Sequence, residues 1–126
     1  MMRAKRVKLA SISGGILDII GFRCELPDGS FWSFGGKALG IGFHFATNDK
    51  GEDMVLELRW PDSGGASLAG DCAWSAFEVH LGAGLSGLVL WDTHGTVGKL
   101  TGVTFGVGLA AVPVGWGKVQ REDGFD

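Results

Sequence analysis

The chain has 126 residues, with 11 basic against 14 acidic side chains and a formal net charge of −3. A content of 45% hydrophobic and 20% charged residues excludes a disordered tail, and the mild acidity argues against a nucleic-acid-binding protein built on a basic surface. The 23 glycines lack the three-residue period of collagen. We therefore predict one glycine-rich globular domain over residues 1–126.

The first half of the chain alternates apolar and polar residues between turn signals, which is typical of β-strands. The predicted elements are strands over 7–11 and 16–25, a turn over 26–30, an extended segment over 31–45, a turn over 48–51 and a strand over 54–60 closed by a turn over 61–65. In the extended segment Leu39, Ile41, Phe43 and Phe45 share one face. In the next strand Trp60 continues the apolar face, so we place it in the core.

The second half repeats this pattern. The predicted elements are an edge strand over 66–74 or one short helix near 71–75, a strand over 77–81, a turn over 82–84, a strand over 85–91, a turn over 92–95, a long strand over 97–109 and a last strand over 112–119. In the long strand the large residues, such as Phe105 and Val107, occupy one face and four glycines the other. We expect the large faces to fill the interior of a narrow barrel and the glycines to allow its strands to coil.

These elements predict an all-β fold, a compact antiparallel barrel of about eight strands with at most one short helix. The motif G-K-x-x-G-[IV]-x-F occurs at 36–43 and again at 98–105, close to half a chain apart. We interpret the repeat as two Greek-key-like halves.

Cys24 and Cys72 lie 48 residues apart, which is neither a metal-ligand spacing nor a disulfide framework. A single bridge or two reduced core thiols remain open. The basic N-terminus is followed by glycines and Asp18 rather than by an apolar run, so we predict no cleavable signal peptide. The uncharged run over 100–117 contains glycines and Pro113, which favours two strands over a membrane-spanning helix.

Few residues indicate chemistry. No nucleophile elbow, phosphate-binding loop or zinc signature is present. His44, His80 and His94 are far apart in sequence, and we interpret each as a surface or satisfied structural histidine. Asp92 lies two residues before His94, a spacing that we assign to a hairpin turn. We therefore predict no catalytic residue, no metal and no cofactor.

Five tryptophans are many for this length. Large aromatic side chains either fill a core or mark a contact surface. Trp32 and Trp116 are the two whose surroundings the pattern does not determine, so we name them as the candidate residues for contact with a membrane or a partner.

The second half of the chain resembles the virulence-associated protein (Vap) family of Rhodococcus. The resemblance rests on 75–79 (S-A-F-E-V), on 90–98 (L-W-D-T-H-G-T-V-G) and on the glycine-rich close over 102–117, with a similar style at 32–36. It implies a compact eight-stranded antiparallel barrel of two Greek keys. It also implies a secreted, non-enzymatic bacterial effector that acts in host phagosomes, with membrane association for some members.

Three functions compete. We favour a non-enzymatic effector or interaction barrel acting at a host membrane or on a protein partner, which predicts exposed apolar patches. The alternative is a small-ligand-binding barrel of the avidin or lipocalin kind, which needs an open lumen lined by aromatic residues. The third is an enzyme that uses His80 with Glu78, or His94 with Asp92, as acid and base in a shared pocket.

Overall fold

The computed structural model of the chain describes residues 1–48, 53–60, 62–63 and 66–125. These residues form eight strands: β1 (Met2–Arg3), β2 (Arg6–Glu25), β3 (Phe31–Asn48), β4 (Met54–Leu58), β5 (Asp62–Ser63), β6 (Ala66–Ser67), β7 (Gly70–Asp92) and β8 (Gly95–Glu122). They contain no helix, and hence none long and apolar enough to cross a membrane. The predicted all-β class is confirmed, and the ambiguous segment 66–74 contains β6, a bend at Leu68 and Ala69, and the start of β7. The turns predicted over 48–51 and 61–65 lie largely outside the described residues.

Six of the strands form one antiparallel sheet in the order β1-β4-β8-β3-β2, with β7 on the other side of β8. Strands β5 and β6 pair separately. The four long strands therefore lie side by side as β2, β3, β8 and β7. The predicted turn over 26–30 joins β2 to β3, where the Gly29 N–H donates to the Leu26 carbonyl (2.9 Å). The predicted turn over 92–95 joins β7 to β8, where the His94 N–H donates to the Asp92 carboxylate (2.8 Å).

The long strands are not straight. Arg6 and Glu25 lie at opposite ends of β2, and a straight strand would hold residues 19 positions apart at about 60 Å. Instead the Arg6 guanidinium is 2.7 Å from the Glu25 carboxylate, and the Lys5 N–H donates to the Glu25 carbonyl (2.8 Å). Strand β2 therefore folds back until its two ends meet.

Strand β7 folds back in the same way. The Ser86 hydroxyl donates to the carboxylate of Glu78, eight residues earlier, which would be about 26 Å away in a straight strand. A Cβ on Gly84 would overlap the carbonyl oxygen of Val79. Leu81 lies at the apex of the bend and is 93% exposed. The turn predicted over 82–84 is therefore a sharp bend within one strand.

One glycine with positive φ lies inside each long strand: Gly15 (75°), Gly42 (136°), Gly82 (86°) and Gly108 (103°). Side-chain-bearing L-residues rarely adopt this backbone conformation. Gly15 pairs with Gly42 across β2 and β3, and Gly108 pairs with residues of both β3 and β7. We call this line of bends the crease. It divides the four long strands into eight segments and folds the sheet so that its two halves face each other.

Away from the crease the two halves enclose an apolar core. Trp74 is 1% exposed and meets Phe34 edge-on, with ring centroids 6.4 Å apart. Leu56, Leu90 and Val119 belong to the same cluster. Turns, strand ends and most of the exposed charged side chains lie around this core, and we call this region the charged end.

Two tryptophan assignments are wrong. Trp60 is 58% exposed rather than in the core, because β4 ends at Leu58 and its alternation does not continue. Trp32 is only 6% exposed, so it is removed from the candidate contact surface. The turn before it explains its burial, because the indole Nε1 donates to the Ser30 hydroxyl (2.8 Å).

Candidate functional site

The crease carries most of the exposed apolar side chains. Of the nineteen large hydrophobic residues that are exposed among those described, fourteen lie within five positions of a crease glycine. We call these fourteen the crown: Ile12, Ile16, Leu17, Ile19, Leu39, Phe43, Phe45, Phe77, Val79, Leu81, Leu85, Phe105, Val107 and Leu109. Soluble monomers rarely expose a contiguous apolar surface of this kind, so the crown is the first candidate for a contact site.

The expectation that the large faces fill the interior is wrong at the crease. Leu39 and Phe43 are each 74% exposed, and Phe105 and Val107 also point outward. The inner side of the bend leaves no space for them, because a Cβ on Gly106 would overlap the carbonyl oxygen of Phe45. The glycine faces therefore point inward, and the large faces cover the outside of the crease.

No charged side chain is exposed on the crown. The described segments 12–19, 38–48, 77–90 and 100–117 contain two acidic residues, Asp18 and Glu78, and no lysine or arginine. Both acidic residues are buried. Within these described segments the apolar surface is thus uninterrupted by charge.

Trp116 stands at the border of this surface. It is 68% exposed and pairs across the sheet with Lys37, which is also exposed and which pairs with Ile19 of the crown. Lys118 follows two residues later on the same strand. An aromatic ring next to lysines at the edge of an apolar surface is the arrangement found at membrane–water interfaces.

Beneath the crown lies a buried polar cluster. Ser11 of β2 lies 2.9 Å from His44 Nε2 of β3 and donates to the Glu78 carboxylate of β7 (3.1 Å). His80 contacts the Thr104 hydroxyl of β8. The cluster also includes Ser13, Asp18 and Ser86, and all of its members are buried. Every long strand thus contributes polar groups to the inner side of the crease.

Burial shifts the pKa values of Glu78, His44 and His80 in this cluster. Loss of solvation raises the pKa of Glu78, although hydrogen bonds from Ser86 and Ser11 oppose the shift. Loss of solvation also lowers the pKa of His44 and of His80, so both imidazoles resist protonation. The Nδ1 atoms of both rings and one oxygen of Asp18 have no hydrogen-bond partner.

The cluster contains one of the two acid–base pairs that the enzyme hypothesis requires. His80 and Glu78 do meet, with 3.4 Å between His80 Nε2 and Glu78 Oε2, and His44 joins them. In a nucleophile triad the histidine bridges the serine and the acid; here Ser11 lies between His44 and Glu78. The adjoining cavity, of about 10 Å³, has space for about one water molecule.

The remaining candidate residues lie at the charged end. Asp92 forms an ion pair with Arg59, and hydrogen bonds from that guanidinium lower the pKa of the Asp92 carboxyl. His94 is exposed in the turn, as the hairpin interpretation expects. Cys24 and Cys72 are free and buried, which resolves the open choice in favour of reduced thiols. Among the described residues no group of histidine, cysteine or acidic side chains is arranged to hold a metal.

An open cleft of about 860 Å³ separates the two ends of β7. Trp91, Trp116 and Asp71 are among the residues that line it. This volume is within the range of small-molecule sites. The cleft lies at the surface of the charged end.

The sequence analysis predicts neither the crown nor the buried polar cluster beneath it. The signal was present, because the charge-free segments coincide with alternating glycine and large apolar residues.

No protein-family model, curated protein or solved structure matches the chain.

Proposed function

We propose that this chain is a non-enzymatic membrane-contacting protein whose crown enters the apolar region of a lipid bilayer while the charged end stays in water. The observation that carries the proposal is the crown itself, fourteen exposed apolar side chains with no exposed charge among them. Moving such side chains from water into hydrocarbon is favourable by roughly 1.5–3 kcal/mol for each one fully buried.

Lipid fits the crown better than a protein partner does. The crown covers the outside of a bend, and its side chains come from all four long strands. A fluid apolar phase can follow such a convex surface, whereas a protein partner would need a matching concave one. Trp116 and Lys37 at the border then lie at the depth of the lipid headgroups.

The resemblance to the Vap family supports the same proposal and extends it to a secreted effector acting at a host membrane. We also propose the barrel architecture that this resemblance implies: the eight strand segments would form a closed antiparallel barrel of two Greek-key halves. Closure would require pairing between the outer segments of β2 and β7.

Co-flotation with liposomes tests the proposal. The purified chain is mixed with neutral and with anionic vesicles at pH 7.5 and pH 5, and the floated fraction is measured. We expect the wild type to float and the double variant L81S/F43S to bind about 100-fold more weakly, because two large side chains no longer favour transfer. Both positions are highly exposed, so their effect on stability is small.

The matched control is Trp60→Ser, which removes an exposed apolar side chain outside the crown. We expect this variant to float like the wild type. Absence of flotation under all four conditions would refute the proposal, as would equal flotation of L81S/F43S.

The cleft between the ends of β7 supports a second candidate, the binding of a small ligand. Two indole rings and a carboxylate line an open volume of suitable size. This candidate becomes the better one if the wild type does not float.

A further inference from the structure

We infer that the buried polar cluster makes the crease a pH-sensitive hinge, which loosens below about pH 6.5 and lets the already exposed crown spread further into the bilayer. The inference rests on the proposed function for its link to lipid. The hinge itself depends only on the cluster and operates without lipid.

The cluster lies where the sheet bends. Its hydrogen bonds connect residues on opposite sides of the crease: Ser86 with Glu78 within β7, and Ser13 with Asp18 within β2. The Ser11 bond to Glu78 connects β2 with β7, which form no backbone ladder with each other among the described residues. These side chains therefore hold the two halves of the sheet together at the crown.

Four ionisable groups face one another in this space. β2 contributes Asp18, β3 contributes His44, and β7 contributes Glu78 and His80. β8 contributes the Thr104 hydroxyl and no ionisable group. The two imidazole rings are stacked with their centroids 6.4 Å apart, so two protonated rings would repel each other.

The direction of the pH effect follows from linkage. The pKa of each buried histidine is lowered, so the open state binds more protons below the reference value of about 6.5, and acid favours opening. The pKa of Glu78 is raised, so the closed state binds more protons above about 4.5 and acid favours closure there. Below about pH 6.5 the two imidazoles of the open state together bind more than one proton, whereas the closed state, with its rings neutral, binds at most one on Glu78, so acid opens the crease in this range.

Hydrogen exchange of the chain alone tests the hinge. Protection factors, corrected for the intrinsic rate at each pH, are compared at pH 7.5 and pH 5 for residues 78–86 at the crease and 97–100 at the charged end. We expect protection at the crease to fall by about ten-fold or more, and protection at 97–100 to change by less than roughly two-fold.

Four variants assign the effect. His44→Gln and His80→Gln should each reduce the acid loss of protection, and His94→Gln, which alters an exposed histidine outside the cluster, should leave it unchanged. Glu78→Gln keeps both imidazoles and removes the opposing carboxyl, so it should retain the acid response or steepen it. This variant keeps the test decisive if a histidine variant fails to fold.

The inference is overturned if the wild type keeps its crease protection at pH 5, or if His94→Gln abolishes the response. A wild type that opens in acid but never floats with liposomes leaves the hinge standing and refutes the proposed function. A wild type that floats equally at both pH values without opening supports the function and refutes the hinge.

Discussion

The two ends of the molecule are built from the same four strands, but the residue types on the inward and outward faces are exchanged between them. At the charged end Leu9 and Phe22 of β2 point into the core. Near the crease the inward positions of the same strand hold Ser11 and Asp18, and Ile16 points outward. The charged end therefore has the usual distribution of a water-soluble protein, whereas the crease has polar groups inside and apolar groups outside.

The difference shows that folding alone does not explain the crease. Exposing large apolar side chains gives up stabilisation that burial would provide, and the buried polar groups of the cluster lose their hydration. Local rules broken together at one place are expected at functional sites rather than in ordinary structural regions. The contrast between the ends is thus the reason to assign function to the crown.

The largest expected effect on the free energy of unfolding is a difference between substituting a crease glycine and substituting a glycine at the charged end. Gly108 has φ +103°, and a Cβ there would overlap the Phe43 carbonyl oxygen. Gly29 has φ +86° with open space around it. We expect G108A to cost about 3–4 kcal/mol, from backbone strain plus overlap, and G29A about 1–2 kcal/mol from strain alone. Urea unfolding measures both, and equal costs would contradict the tight bend.

The sequence predicts the strands and turns of both ends, but it does not predict which strand face points inward at the crease. The turns at 26–30 and 92–95 both carry aspartate and glycine, and the first also carries proline; these residues act locally, so the sequence predicts both turns. Alternation alone does not say which face is inside. The repeat at 36–43 and 98–105 does not locate the crease, because its offset carries Gly42 onto Thr104 rather than onto Gly108. Contacts such as Ser11 with Glu78 join distant segments, and no local pattern encodes them.

A second, smaller effect compares the carboxylates of the two ends. Hydrogen bonds from Arg59 lower the pKa of Asp92, so its contribution to stability is present above about pH 4 and is lost as the pH falls further. Burial raises the pKa of Glu78, so its ionised form costs stability as the pH rises. We expect D92N to lose about 1 kcal/mol at pH 7, and E78Q to gain stability relative to the wild type between pH 5 and pH 8.

Urea unfolding at several pH values measures both carboxylate variants. Asp123→Asn is the control, because this carboxyl is exposed near the C-terminus. If E78Q lost stability relative to the wild type as the pH rose, the buried environment assigned to Glu78 would be wrong.

The smallest expected effect concerns the two thiols, which report on the charged end. Burial raises the pKa of Cys24 to about 12 and, with nearby Asp92, that of Cys72 to about 11. Because the thiolate is the reactive form, we expect almost no reaction with a disulfide reagent at pH 8 until the protein unfolds, with Cys72 ahead of the fully buried Cys24.

A pyridyl disulfide, which also reacts in acid, extends the comparison to pH 5. If acid opens only the crease, Cys24 stays protected there while residues 78–86 exchange. Fast labelling of Cys24 at pH 5 would mean that acid opens the charged end too, and the two ends would then form one cooperative unit.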